Sequence, residues 1–311
     1  MTGFDPHADA MAALIADTLA GAPDVLARLD ALTAGAPAAA TRTARLRLLV
    51  ALVNVRRIPE ARALVAREGW ENENFSQQPA GAHVDLDRVE IDALFALAVI
   101  HNEPGGDSRL SRRRFTRAMS LLRPAPGVAA DPSFWAAVHG VVITSDRLAD
   151  MPASAEALLV AYRVAGCDLA AMPAELAALW PARACDHFVR LTLTGSPAQA
   201  RAFALIPGVA ALLDGAGGEH VANVAFARAE LEARPGGDPA IARRRFAELR
   251  AGLNETQTLF WPALRGELAA IAREEGEPAA AAMARSVLVG RDPATVPHDI
   301  AARARASETV R

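Results

Sequence analysis

Three short fragments carry residue types that do chemistry in other proteins. His83-Val84-Asp85-Leu86-Asp87 sets an imidazole beside two carboxylates. A divalent cation takes oxygen ligands of that kind together with a ring nitrogen. No further acidic motif completes a coordination shell, so the simpler reading is a capping cluster that opens the helix carrying Val89, Ile91 and Leu94. Cys185-Asp186-His187 places a thiol near an imidazole, and a nucleophile–base couple needs hydrogen-bond reach between them. Residues at i and i+2 of a helix do not face each other, which argues against that couple. His298-Asp299 pairs an imidazole with a carboxylate but has no downstream Asp and no upstream His partner. The chain contains no glycine-rich phosphate loop, no nucleophile elbow and no His-Glu-x-x-His helix. No catalytic residue, metal set or cofactor is therefore assigned from motifs.

Two arginine triplets, Arg112–Arg114 and Arg243–Arg245, look at first like anion patches. Three consecutive helical residues spread over about 200° of the circumference, so they form no single compact patch. At least one of each triplet is expected to lie along the next hairpin or to pair with an acid.

The elements that hold these residues are helices. Of 311 residues, 52% are apolar and 22% charged, enough for one large domain or two ordinary ones. There are 73 alanines and no lysine, so all 33 basic residues are arginine. A GC-rich, bacterial type of coding bias accounts for this most simply. The net charge of −3 argues against a nucleic-acid partner. Cys167 and Cys185 cannot supply a disulfide framework. Residues 1–20 hold three aspartates and no basic residue, unlike a signal peptide. No apolar run approaches the roughly 18 residues that span a bilayer. A soluble cytoplasmic protein without membrane partners is the expectation.

Helix starts are punctuated by proline, which suits the first helical position because its missing N–H would be unpaired there. Asp5-Pro6, Asp131-Pro132, Ser196-Pro197, Asp238-Pro239 and Asp292-Pro293 place a capping side chain just before it. Ser196 with Gln199 has capping-box spacing. This punctuation predicts about 14 to 17 short helices. The more polar interruptions are 71–82, 123–132 and 207–219.

One block of sequence occurs twice. Pro104-Gly105-Gly106-Asp107 followed by Arg112-Arg113-Arg114-Phe115 matches Pro235-Gly236-Gly237-Asp238 followed by Arg243-Arg244-Arg245-Phe246, always at an offset of 131. Phe134-Trp135 with Gly140 matches Phe260-Trp261 with Gly266 at an offset of 126. The glycine pair supplies a turn with φ > 0. Asp107 and Asp238 cap the helix that follows. Ser111, Phe115, Ala118 and Leu122 then form one apolar stripe, as do Ala242, Phe246, Leu249 and Leu253. The unit is helix–turn–helix. Trp70, Trp135, Trp180 and Trp261 are expected to pack in hairpin cores.

With these features the chain resembles the tetratricopeptide-repeat family, whose unit is a helical hairpin of about 34 residues. Leu268, Ala269, Ala272, Gly276, Ala281, Leu288 and Pro293 occupy the family's apolar, small, turn and closing-proline places. Gly106, Ser111, Phe115 and Ala118, with Gly237, Ala242, Phe246 and Leu249, fit its second-helix pattern. Trp261 departs from the register of the family's first-helix aromatic, and Glu230 stands where a small residue is usual.

The resemblance implies an all-α chain, an α-α superhelix (solenoid) of antiparallel helix hairpins. It divides into N-terminal hairpins at 1–82, a first half at 83–180 and a second at 181–311, or forms one continuous domain 1–311. First helices of such a superhelix line a concave groove. In that register Arg234 and Arg273 fall at equivalent groove positions, with Glu274 beside the second, and two guanidinium groups there would hold a carboxylate. The function implied is a non-catalytic scaffold binding a protein or acidic peptide. The alternatives are an enzyme with a metal or acid–base site near His83, Asp85 and Asp87, and a self-assembling homo-oligomer.

Overall fold

A computed structural model describes residues 6–72, 88–292 and 294–306. Among these residues it contains sixteen α-helices and no strand. The chain is all-α. Val141–Thr144, the clearest β-branched run, lies inside a helix (Pro132–Arg147) rather than in a sheet.

Aspartate caps place the helix starts. Asp107 accepts from the backbone N–H groups of Arg109 and Leu110, Asp131 from that of Ser133, Asp150 from that of Ala153, and Asp238 from those of Ala240 and Ile241. Each satisfies donors that the first helical turn leaves unpaired. Ser196 makes no such bond, although Pro197 still opens its helix.

The chain packs as two compact units, residues 1–166 with 171–176, and residues 167–170 with 177–311. The expected boundary at 82/83 lies in a segment outside the described residues.

In the first unit the helices are α1 (Pro6–Leu19), α2 (Val25–Thr33), α3 (Ala38–Asn54), α4 (Ile58–Glu68), α5 (Arg88–Asn102), α6 (Ser108–Leu122), α7 (Pro132–Arg147) and α8 (Met151–Val164). One apolar core runs from Met11 on α1 to Ile100 on α5 and encloses Leu29, Leu49, Leu64 and Trp70. The N-terminal helices thus share a core with α5. From α5 to α8 each helix packs against the next.

The second unit holds most of α9 (Ala174–Thr194), then α10 (Pro197–Ala204), α11 (Val209–Asp214), α12 (His220–Ala233), α13 (Pro239–Ala251), α14 (Phe260–Glu275), α15 (Glu277–Leu288) and α16 (His298–Arg305). From α12 to α16 each helix again packs against its successor. Trp180 on α9 is fully buried, edge-on to Phe203 with ring centroids 6.2 Å apart.

Helices α5–α8 and α12–α15 are two copies of one arrangement. Gly105 and Gly236 turn the chain with φ of 79° and 85°. At the next residue a Cβ on Gly106 would lie 2.3 Å from the His101 carbonyl oxygen, and one on Gly237 would lie 2.3 Å from that of Glu232. Phe95 meets Phe115 edge-on at 5.3 Å between centroids, and Phe226 meets Phe246 at 5.8 Å. All these positions differ by 131. Phe134–Trp135 and Phe260–Trp261 repeat a second edge-on pair at 5.2 and 4.9 Å, now 126 apart. Pro152 and Pro278 open the fourth helix of each copy at the same offset of 126. The offset changes between α6 and α7 in the first copy, and between α13 and α14 in the second.

In each copy the second and third helices meet through a glycine set against a phenylalanine ring. A Cβ on Gly140 would lie 2.5 Å from the Phe115 ring, and one on Gly266 would lie 2.4 Å from the Phe246 ring. Both phenylalanines are buried, so neither ring has space to retreat into. Gly140→Ala and Gly266→Ala are each expected to destabilise their own unit by about 1–3 kcal/mol through overpacking, read in denaturant melts. A near-neutral effect at either glycine would show that its copy does not share the contact.

Candidate functional site

Arg273, near the end of α14, donates from Nη1 to the carbonyl of Ala233, the last residue of α12, at 2.7 Å. Arg147, which ends α7, donates from Nη1 to the carbonyl of Asn102, the last residue of α5, also at 2.7 Å. These arginines differ by 126 in number and their acceptors by 131, so the same tie exists in both copies. Arg234, just past the end of α12, donates from Nη2 to the carbonyl of Leu193 near the end of α9 at 3.2 Å. The last carbonyls of a helix have no partner within it and carry the negative end of its dipole. A guanidinium is a natural counterpart. Arg234 and Arg273 each tie down the end of an earlier helix.

Glu274 points its charge elsewhere. It accepts from Arg243 on α13 at 3.3 Å, and the neighbouring Glu275 accepts from the same guanidinium. That bonding, led by Glu275, raises the Arg243 pKa above its usual value. Glu230, one turn before Arg234, has its pKa raised by burial, against the opposing charge of Arg234.

The arginine triplets divide as helix geometry requires. Arg112 pairs with Asp150 at 2.5 Å, and Arg244 faces Glu248 at 3.9 Å. Arg114 is fully buried, and burial lowers its pKa to about 10, which still leaves it charged near neutral pH. Its Nη2 donates to the carbonyls of Trp70 at 3.2 Å and Glu71 at 2.5 Å. Sequence reading missed this special arginine. Its signal was its place one residue before Phe115, on the margin of the buried stripe.

The other candidates do not assemble. Cys185 is buried and its thiol pKa is pushed up, chiefly by burial. His187 stacks edge-on against Phe203 and contacts Arg190 through Nδ1 at 3.2 Å. Asp186 instead faces His220 at 3.3 Å. Asp299 is held by two hydrogen bonds from Arg265, at 2.6 and 2.9 Å. His83, Asp85 and Asp87 lie outside the described residues, as does Pro293. Among the described residues no group of three or more His, Cys, Asp or Glu is arranged to hold a metal, and no helix is long and apolar enough to cross a membrane.

Besides a groove of about 450 Å³ lined by Arg62, Val65, Ile100 and His101 in the first unit, two more are large enough to take part of a partner. One, about 520 Å³, lies in the first unit along α2 and α3, with Met11, Leu32, Pro37 and Ala40 in its wall. The other, about 470 Å³, lies in the second unit where α11, α12 and α13 meet. No protein-family profile matches the chain, and no curated protein or solved structure resembles it significantly.

The helix-end ties carry a measurable consequence. Arg147→Ala and Arg273→Ala should each cost about 0.5–1.5 kcal/mol, the range for a typical intramolecular hydrogen bond, since exposure to water offsets the gain from charge, seen as a lower Tm of the corresponding unit. Unchanged melting in both variants would mean that the ties add nothing to the fold.

Proposed function

We propose that the chain is a non-catalytic scaffold that binds a protein or acidic peptide, built as an α-α superhelix of antiparallel hairpins of the tetratricopeptide-repeat kind. The observation that carries this reading is the repetition of one four-helix arrangement, α5–α8 and α12–α15, down to the same glycine–phenylalanine contact. Stacked copies of one supersecondary unit bury a continuous core and present extended surface for a partner. In this reading Arg234 and Arg273 stiffen the groove wall. Each uses one N–H group on a helix end and keeps further donors for carboxylates, with Glu274 alongside. Self-assembly through the same surface is the alternative that a simple experiment separates.

The immobilised chain, offered soluble proteins of its native host, should retain a distinct partner that is released as salt is raised, identified by mass spectrometry. Recovery of copies of this chain alone, with an oligomer in size exclusion and light scattering, would replace the scaffold with self-assembly.

A further inference from the structure

The two copies differ in what reaches the inner face of their first helix. In the first unit the link from α4 to α5 begins Gly69-Trp70-Glu71. Trp70 is buried in the core with Ala93, Leu94 and Leu97 of α5, and Arg114 holds the carbonyls of Trp70 and Glu71. The Nη1 of Arg114 also lies 3.5 Å from the Leu97 carbonyl, so guanidinium, indole and this face of α5 form one site.

Adding 131 to each number carries that site to the second unit: Val224, Ala225 and Arg228 on α12, and Arg245 on α13. All four line the 470 Å³ groove. The link from α11 to α12 runs Gly215-Ala216-Gly217-Gly218 and brings no aromatic. Arg245 is half-exposed, and among the described residues it has no hydrogen bond or ion pair. Its neighbours in the groove wall are otherwise engaged: Arg228 pairs with Asp214 at 2.6 Å, and Glu248 faces Arg244. Val221, a large apolar side chain, is 52% exposed where the first copy has Glu90. The groove therefore combines an apolar wall, a volume within the roughly 300–1,000 Å³ usual for ligand clefts, and one uncompensated cation.

We propose that this groove docks the C-terminal end of a partner chain bearing a large aromatic residue, with the aromatic ring in the space that Trp70 fills in the first unit and the terminal carboxylate on Arg245. A carboxylate is the better partner for an exposed guanidinium than the carbonyls that satisfy Arg114, because it accepts in two parallel hydrogen bonds and carries full charge. The aromatic supplies the apolar area that anchors peptide recognition. The assignment rests on the scaffold reading and gives its partner a chemistry.

The probe is an N-terminally labelled peptide of residues 62–71, Arg-Ala-Leu-Val-Ala-Arg-Glu-Gly-Trp-Glu, with a free terminal carboxylate, titrated into the full chain by fluorescence anisotropy. It should bind saturably. C-terminal amidation, replacement of its Trp by Ala, and Arg245→Ala in the protein should each weaken binding at least tenfold. Arg245→Ala should melt as the unaltered protein does. No binding, or equal binding by the acid and the amide, overturns the assignment. So does equal binding by the unaltered chain and Arg245→Ala. A host protein retained by the immobilised chain, together with a peptide that does not bind, would leave the scaffold standing and remove the groove from it.

Discussion

Two helices can touch through an aromatic face only if one of them gives up its side chain at the point of contact. Gly140 under Phe115 and Gly266 under Phe246 do this in the two copies. The consequence reaches well beyond the pair. With the second and third helices fixed at that distance, Phe95 and Phe226 meet the same rings edge-on, and the third helix ends where Arg147 or Arg273 reaches the close of the first. A larger residue at either glycine would move the third helix outward against a core that has no slack. The turn glycines, the aspartate caps and the arginine ties all presuppose this spacing.

The frame is shared while its filling has diverged. Met119 and Val141, buried on α6 and α7, become Arg250 and Glu267 on α13 and α14. There the two acidic oxygens accept from one guanidinium, the shorter bond being 2.7 Å. Two buried apolar side chains in one copy and a part-buried ion pair in the other thus stand at the same place. Arg114 and Arg245 diverge in the opposite sense: the residue is kept, and what it holds is not. Such a pattern is expected when a unit is duplicated, its internal contacts being required for folding and its outer face free to change.

Much of the frame was legible in the sequence. Proline and aspartate mark the helix starts because caps and missing N–H groups act within a few residues. The repeated Pro-Gly-Gly-Asp corner and the Phe-Trp pair gave the duplication with its change of offset. The failures have a common cause. Ser196 has the spacing of a cap but makes no capping bond, and nothing within its own turn distinguishes it from Asp238. The helix-end bonds of Arg234 and Arg273 were not legible, because their acceptors lie about 40 residues earlier in the chain. Arg114 and Arg245 read alike in their local sequence. One is buried because Trp70 arrives from 44 residues away, a contact that no local pattern contains. The unlike links, Gly69-Trp70 and Gly215-Ala216-Gly217-Gly218, held the signal, and only the packing of α4 and α11 gives it meaning.

The shared glycine–phenylalanine contact is tested most directly by a pair of double-mutant cycles on stability, Gly140→Ala with Phe115→Leu and Gly266→Ala with Phe246→Leu. If the ring is what the added methyl meets, leucine relieves part of the alanine penalty, and each cycle shows a coupling of the same sign, within the about 0.5–3 kcal/mol found for residues in contact. Additive losses in either cycle, or couplings of opposite sign in the two, would contradict a single frame used twice.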